Sequence, residues 1–410
     1  MTHPVVTMTD RSAPVTMSAK DARERILSTL APLNGSGLVA LGQALGRVVA
    51  EDLQSPIDVP PADNSAMDGY AVRVDDLTGE GSRLPVSARI QAGVFPAPLE
   101  PGTAARIFTG AVVPEDADTV VIQEHCQEDN GLVSVEKLPK TGANIRRSGE
   151  DIGSGSTVVC AGTCLQPQHL GLLASVGLAE VPVRPRLRVQ VLSTGDELVE
   201  PGRPLAPGQI YNSNDTVLTG LLERLGCELL PTQQVPDAAE ATREALEQAR
   251  GQADLVLTSG GVSVGEADHV KPAVEAMGRL DLWKINIKPG KPVAFGDLGG
   301  VPFLGLPGNP VSVFVTFCLF AAPVIRYLQG RSEPFPDPIQ IPAAFDRPAA
   351  KREEYLRVRI KDGQLHGYPH QGSGVMSSVA WADGLARIPA DSVVASGDRI
   401  EYFGFGALVG

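Results

Sequence analysis

The chain reads as a multidomain α/β plus β protein. Its centre is a doubly wound, largely parallel α/β domain, joined by a β-rich insertion, a small helical linking domain and a C-terminal β-domain. Three observations predict this. Apolar strand runs and helical runs alternate from 186 to 330. Short strands broken by Gly, Pro and Asn fill 55 to 154. Proline density rises after 331, and only short strands follow to 410.

Residues 1–18 have no signal-peptide core and read as a flexible leader. Helical periodicity marks DARERILSTLAPL, ALGRVVAEDL and QPQHLGLLASVG, which assigns 19–54 and 155–185 to helical linking segments. Within 55–154, VSARI, AARIF, TVVIQE and LVSVEKL read as strands. From 186, RLRVQVLSTG is a strand and SNDTVLTGLLERLG a helix opening on capping residues. ELLPTQQV, DAAEATREALEQAR, DLVLTSGG and DHVKPAVEAMG continue the alternation, and WKINIK, PVAFGDL and VPFLGL close it. YLRVRI, RIPA and DRIEYF are strands of the last domain, 331–410.

The 410 residues include 48 acidic and 35 basic ones, a net charge of −13. A chain this acidic does not bind nucleic acid nonspecifically, because phosphate backbones demand a basic surface. Cys126, Cys160, Cys164, Cys227 and Cys318 are scattered and odd in number, so they form no disulfide framework. Cys160 and Cys164 have a C-x3-C spacing, but no second pair completes a zinc site. The run VSVFVTFCLFAAPVI has 15 residues and contains Pro323. A membrane span needs about twenty residues, so this is a buried helix and the expected location is cytoplasmic.

Three loops follow strands of the α/β domain: TGDEL (194–198), SGGVSVGEAD (259–268) and LPGNPVS (306–312). In a parallel sheet all three fall at the carboxyl edge, where ligands bind. Gly260, Gly261, Gly265 and Gly308 let backbone amides approach a phosphate, and Pro310 suits the first turn of a helix. The corner is either a cradle for an anion at a helix N-terminus or a tight strand–helix turn. It is neither G-x-G-x-x-G nor a Walker A loop. Lys284 and Lys288 alternate with apolar residues on one strand, and Lys291 follows. In isolation they suit a solvated edge strand; beside three glycine loops they suit a polyanion. Asp196, Glu197, Glu266 and Asp268 supply carboxylates for Mg2+, which takes one or two of them plus substrate phosphates and water. In the insertion, PPADNSAMDGYAV (60–72), RIFTGAVVP (106–114) and GANIRRSGEDI (142–152) are polar and turn-rich. Turns explain any one; together they outline a cleft.

These motifs, with IKPGKP and HQGSG, stand in the order found in the MoeA family of molybdopterin molybdenumtransferases, which the chain resembles from about 20 to 405. The E domain of gephyrin shares that pattern. The resemblance implies that adenylylated molybdopterin and molybdate react, with Mg2+, to release AMP and give molybdenum cofactor. It implies catalytic roles for Asp68, Asp151, Glu197, Asp268, Lys284 and Lys288, and metal binding by Glu197, Asp268 and Asp237. Substrate-binding positions are Thr109, Gly260, Gly261, Ser263, Lys291, Pro307, Gly308, Asn309, Pro310, Arg357 and Ser373. It also implies a homodimer whose active site is shared between subunits. A molybdopterin adenylyltransferase would supply substrate, and acceptor molybdoenzymes or their chaperones would take the product. No nucleic-acid or membrane partner is expected. His269, Asn212, Val112 and Asp116 depart from residues common in the family, at Tyr, Asp, Pro and Gly respectively. Two alternatives remain: a molybdopterin adenylyltransferase, which the insertion and last domain argue against, and a non-catalytic pterin-binding scaffold.

Overall fold

The computed structural model describes residues 17–262 and 269–410. All but two residues of the expected leader lie outside the described residues, as do Ser263, Gly265, Glu266 and Asp268.

Seven strands form the central sheet. Arg188–Thr194 pairs in parallel with Leu255–Ser259, which pairs in parallel with Pro302–Leu306. Glu228–Leu229 and Gln233–Val235 both add to the outer side of Arg188–Thr194. Pro231 separates those two pieces because it has no N–H for a ladder. Pro292–Asp297 and then Arg279–Lys284 extend the other side in antiparallel fashion. The sheet is buried on both faces, and the residues alternate accordingly. Val189, Val191, Leu255, Leu257, Leu304 and Leu306 face a core built with the helical run 310–328. Leu192, Val256, Ala294 and Phe303 face the opposite core, under the helices Ala239–Arg250 and Val270–Met277.

The apolar run expected as a buried helix is one. Pro310–Leu328 is 94% buried inside the protein, with a π-type segment at Phe317–Ala321. Such a helix is apolar all round because protein surrounds it on every side.

The last domain is a six-stranded sheet: Ile287–Lys288, Glu353–Lys361, Gly384–Ile388, Arg399–Gly404 and Ile339–Pro342, with Gln364–Gly367 on Glu353–Lys361. Its first strand comes from the α/β segment. WKINIK is therefore not one strand, as its alternation predicts. Arg279–Lys284 ends in the central sheet, and Ile287–Lys288 pairs in parallel with Glu353 and Glu354 of the last domain. Ile285 and Ile287 both point into the same core, so the alternation runs unbroken through the change of sheet.

The insertion carries a six-stranded sheet of order Thr119–Ile122, Gly69–Val72, Ala104–Ile107, Ser82–Ile90, Leu132–Val135, Cys126–Asp129. Gly69 is required there: a Cβ would stand 2.0 Å from the Val121 carbonyl oxygen.

Of the linking helices, Ala19–Leu27 is capped by Ser18, whose Oγ accepts the Asp21 N–H at 3.1 Å. It buries Ala19, Ala22 and Ile26 against the α/β core. The stretch ALGRVVAEDL is not helical. Gly46 takes φ 72°, and Val48 and Val49 bridge to Cys164 and Val183. β-branched neighbours favour that extended state, and the bridges outweigh a weak helical period. The link is completed by two strand pairs, Gly37–Ala40 with Glu180–Val183 and Leu53–Gln54 with Thr157–Val159, and by the helix Pro167–Ser175.

Candidate functional site

The three parallel strands end in register: Ser193 lies opposite Ser259, and Ser259 opposite Leu306. The residues just beyond these ends open onto a cleft of about 830 Å³. Thr194 and Glu197 come from the first loop, Ser259 from the second, and Pro307, Gly308, Asn309 and Pro310 from the third. Lys288 and Lys291 approach from the side, because Pro292–Asp297 runs antiparallel and starts at this edge. Ser373 closes the cleft from the last domain.

Backbone proximity explains the glycines. Gly260 has φ 92° and Gly261 φ 66°, and a Cβ on Gly261 would stand 2.5 Å from Val270 Cγ2. A Cβ on Gly308 would meet only the Gly260 Cα, at 3.9 Å, so the space it vacates belongs to the cleft. The helix terminus after Pro310 is less open than its sequence predicts. Pro310 has no N–H, and the Val311 N–H donates to the Ser373 carbonyl at 3.0 Å. The positive charge at this edge comes instead from side chains.

Those side chains differ. Lys288 Nζ donates to Glu354 Oε1 at 3.0 Å, and Arg347 Nε donates to Glu354 Oε2 at 2.7 Å. Burial pushes the Glu354 carboxyl up, but the hydrogen bonds from Arg347 and Lys288 outweigh it and hold the carboxyl below its ordinary range. Lys288 is thus half neutralised and fixed in place. Lys291 and Arg352 also line the cleft, and neither has an acidic partner among the described residues. Arg352 was not among the residues singled out from sequence, nor were Asn214 and Gln371. Asn214 Nδ2 donates to the Gly308 carbonyl at 2.8 Å, and its buried Oδ1 has no hydrogen-bond partner among the described residues.

Because a depressed carboxyl favours the fold above the ordinary carboxylate range and loses that contribution as pH falls through its lowered pKa, Glu354 gives a signed prediction. Glu354→Gln is expected to lose about 2–4 kcal/mol of unfolding free energy at neutral pH. Denaturant melts should show that loss shrinking below about pH 4.

Arg357 does not line the cleft. It is buried, with Nε bonded to Ser378 Oγ at 3.1 Å, Nη1 to the Tyr355 carbonyl at 3.2 Å and Nη2 to the Gly372 carbonyl at 3.2 Å. Burial lowers its pKa to about 10. In this chain Arg357 ties the loop at Gly372, next to Ser373, to the strand carbonyl of Tyr355 and to Ser378. Lys284 ends the edge strand Arg279–Lys284, on a different sheet from Lys288.

Asp68, Thr109 and Asp151 lie elsewhere, on the insertion. Thr109 donates both its N–H and its Oγ1 to Asp68 Oδ1, each at 2.8 Å. The Thr109 amide and hydroxyl hold the exposed Asp68 carboxyl below its usual range. The three polar segments converge through backbone pairing: Asn64–Ser65 with Ile145–Arg146, Ser65 N–H to the Ala111 carbonyl, and Val59 with Ile152. Asp151 is exposed beside Val59, whose carbonyl accepts its N–H at 3.0 Å. None of the three lines the cleft of its own chain.

Among the described residues no three Asp, Glu, His or Cys side chains gather into a metal cage. Mg2+ needs only one or two carboxylates when phosphate and water complete its shell, so Glu197 at the cleft fits such an ion. Asp237 lies close by, with its N–H donating to Asp196 Oδ1 at 3.1 Å.

Comparison with known proteins identifies the family. Residues 17–177 match the MoeA N-terminal region (domain I and II), 190–327 a probable molybdopterin binding domain, and 340–405 the MoeA C-terminal region (domain IV). The molybdopterin molybdenumtransferase of Haemophilus influenzae is 47% identical over 77% of this chain and 79% of its own length. Molybdopterin molybdenumtransferase 2 of Mycobacterium tuberculosis is 39% identical over 89% of this chain and 94% of its own. The crystal structure of the molybdopterin biosynthesis MoeA protein from Pyrococcus horikoshii superposes with a TM-score of 0.80 at 33% identity, covering 95% of this chain and 99% of that one. With similarity of this degree along most of its length, the chain belongs to the MoeA family.

Proposed function

We propose that the chain is a transferase of molybdenum cofactor biosynthesis, which inserts molybdate into adenylylated molybdopterin and releases AMP. The observation that carries this reading is a cleft at the ends of three parallel strands with two cations, Lys291 and Arg352, that have no acidic partner among the described residues, in a chain of net charge −13. A local positive site in an acidic protein attracts a small polyanion and holds it by charge-assisted hydrogen bonds. Molybdate is a tetrahedral dianion, and the phosphoanhydride of the adenylylated pterin is anionic as well.

In this reading Lys291 and Arg352 bind the oxyanions, and Lys288, fixed by Glu354, sets the third wall. An oxygen nucleophile, molybdate's own or water's, attacks the anhydride phosphorus. The bond from the adenosine-side phosphorus to the pterin phosphate breaks. With water as nucleophile AMP leaves directly, and with molybdate's oxygen the adenylyl-molybdate formed is hydrolysed to AMP. The two dithiolene thiols then bind molybdenum as one oxo group leaves as water with their protons. Positioning and charge stabilisation supply most of the rate. Mg2+, held by Glu197 with Asp237 and Asp268, would neutralise phosphate charge when bound. The five free cysteines suit a reducing, cytoplasmic compartment.

Asp68, Thr109 and Asp151 act, in this reading, on the cleft of a second subunit. Their separation from their own cleft supports a shared site in a homodimer. Purified protein is incubated with adenylylated molybdopterin, Mg2+ and molybdate, and AMP and metal-bound pterin are measured. Molybdate-dependent AMP release is expected, with a loss of about 10²-fold in Asp68→Ala. Mixing Asp68→Ala with Arg352→Ala should restore about one quarter of wild-type turnover, since half the dimers regain one intact site. Absence of AMP release from the wild type sinks the reaction; absence of restoration sinks the shared site.

A further inference from the structure

Beside the basic cleft lies a second chamber, of about 610 Å³. Its walls are Glu200, Asp215, Thr216, Thr219, Thr232 and Gln234, and Asn212 lines both chambers. The volume suits a small heterocycle. The chemistry is opposite to that of the first chamber. Among the described residues no lysine or arginine lines this one, and two carboxylates do. A phosphate would be repelled here.

Asp215 stands in the first turn of the helix Ser213–Arg224 and is half-buried. One of its oxygens accepts the Ser193 hydroxyl, and the other accepts Asn212 Nδ2 at 2.8 Å. It has no lysine or arginine partner among the described residues. Burial pushes its carboxyl up despite both hydrogen bonds. An ionised carboxylate offers about four lone-pair sites, so each oxygen keeps one to give. A half-desolvated carboxylate without a cation is costly, and a ligand bringing two adjacent N–H donors offsets that cost. Thr219, one turn along the same helix face, adds a hydroxyl.

We propose that this second chamber binds the pterin ring of the substrate, with Asp215 accepting the paired N–H donors of its 2-amino-4-oxo edge. The inference rests on the proposed reaction and divides one substrate between two chambers. The phosphoanhydride occupies the basic cleft and the ring occupies the acidic one, with Asn212 at the boundary. Guanine presents the same edge, so the shared chemistry is an amino group beside a ring N–H, and the pterin is the source assigned here.

The test uses the full chain and three uncharged probes in titration calorimetry. Neopterin carries the edge; lumazine replaces the 2-amino group with an oxo group that faces a carboxylate unfavourably; guanosine carries the edge on a purine. The wild type is expected to bind neopterin about tenfold or more tightly than lumazine. Asp215→Asn should narrow that preference to about threefold or less while AMP affinity stays unchanged. Should Asp215→Asn fail to fold, Thr219→Val carries the test, with neopterin expected to weaken at least about threefold at constant AMP affinity. The assignment is overturned if neopterin does not bind, if its preference over lumazine survives Asp215→Asn, if Thr219→Val leaves it unchanged, or if guanosine binds as tightly. Molybdate-dependent AMP release by the wild type, measured alongside, separates the two claims. If it persists while the probes ignore Asp215, only the pterin chamber falls.

Discussion

Arg352→Ala is expected to lower molybdate-dependent AMP release by about 10²- to 10³-fold, the loss typical of removing one preorganised donor from developing negative charge. Three features single out this side chain. It lines the cleft, it has no acidic partner among the described residues, and it sits at the start of the strand Glu353–Lys361, whose next two residues are anchored. Glu353 accepts Arg387 Nε at 2.9 Å and the Tyr355 hydroxyl, and Glu354 holds Lys288 and Arg347. The backbone beneath Arg352 is therefore fixed, and truncation removes a charge without loosening the wall. Arg352→Lys should recover only part of the loss, because a point charge does not replace a planar fork on an oxyanion. Arg357→Ala is the contrast. It should cost stability and loosen the Ser373 loop, seen as a lower denaturation midpoint together with a raised KM.

Gly290→Ala is expected to destabilise the fold by about 2–5 kcal/mol and to abolish tight anion binding. Gly290 lies between Lys288 and Lys291 with φ 96°, and a Cβ there would stand 2.4 Å from Thr316 Cγ2. Thr316 cannot swing aside. It is fully buried, and its Oγ1 donates to the Ser312 carbonyl at 2.6 Å. The loop would have to move, carrying both lysines with it. Thr316→Ser removes the offending methyl, so the double variant should regain the steric part of the loss and keep the backbone part. Urea unfolding of the single and double variants checks the sign, and a double variant no more stable than Gly290→Ala would contradict it.

Much of this was legible beforehand because local chemistry and tertiary need coincide. The parallel strands announce themselves by apolar runs that stop at Thr194, Ser259 and Leu306, and the cleft lies where they stop. Glu197, Lys291 and the Pro307–Pro310 corner come together there. Other features carry no local signal. Ile285 and Ile287 keep a perfect alternation while the chain leaves one sheet for another, since both sheets share one core. Arg352 and Arg357 stand five residues apart in KREEYLR, and type alone does not say which faces ligand. Only the strand's placement does, by turning Arg357 inward against Gly372 and Ser378. Asp215 was passed over because, as an acid in the first turn of a helix, it reads as a cap, and its bond to Ser193 crosses 22 positions.

The two-residue strand Ile287–Lys288 has one further consequence. It is encoded with the α/β unit but completed by the last domain, which supplies both its ladder partner and the counter-ion of its lysine. The basic wall of the cleft is thus a keystone set between two arches. Neither arch owns it, and neither can be exchanged for a relative's without recutting the other. A graft of the α/β unit alone would carry the glycine loops intact and arrive with its charge unmoored.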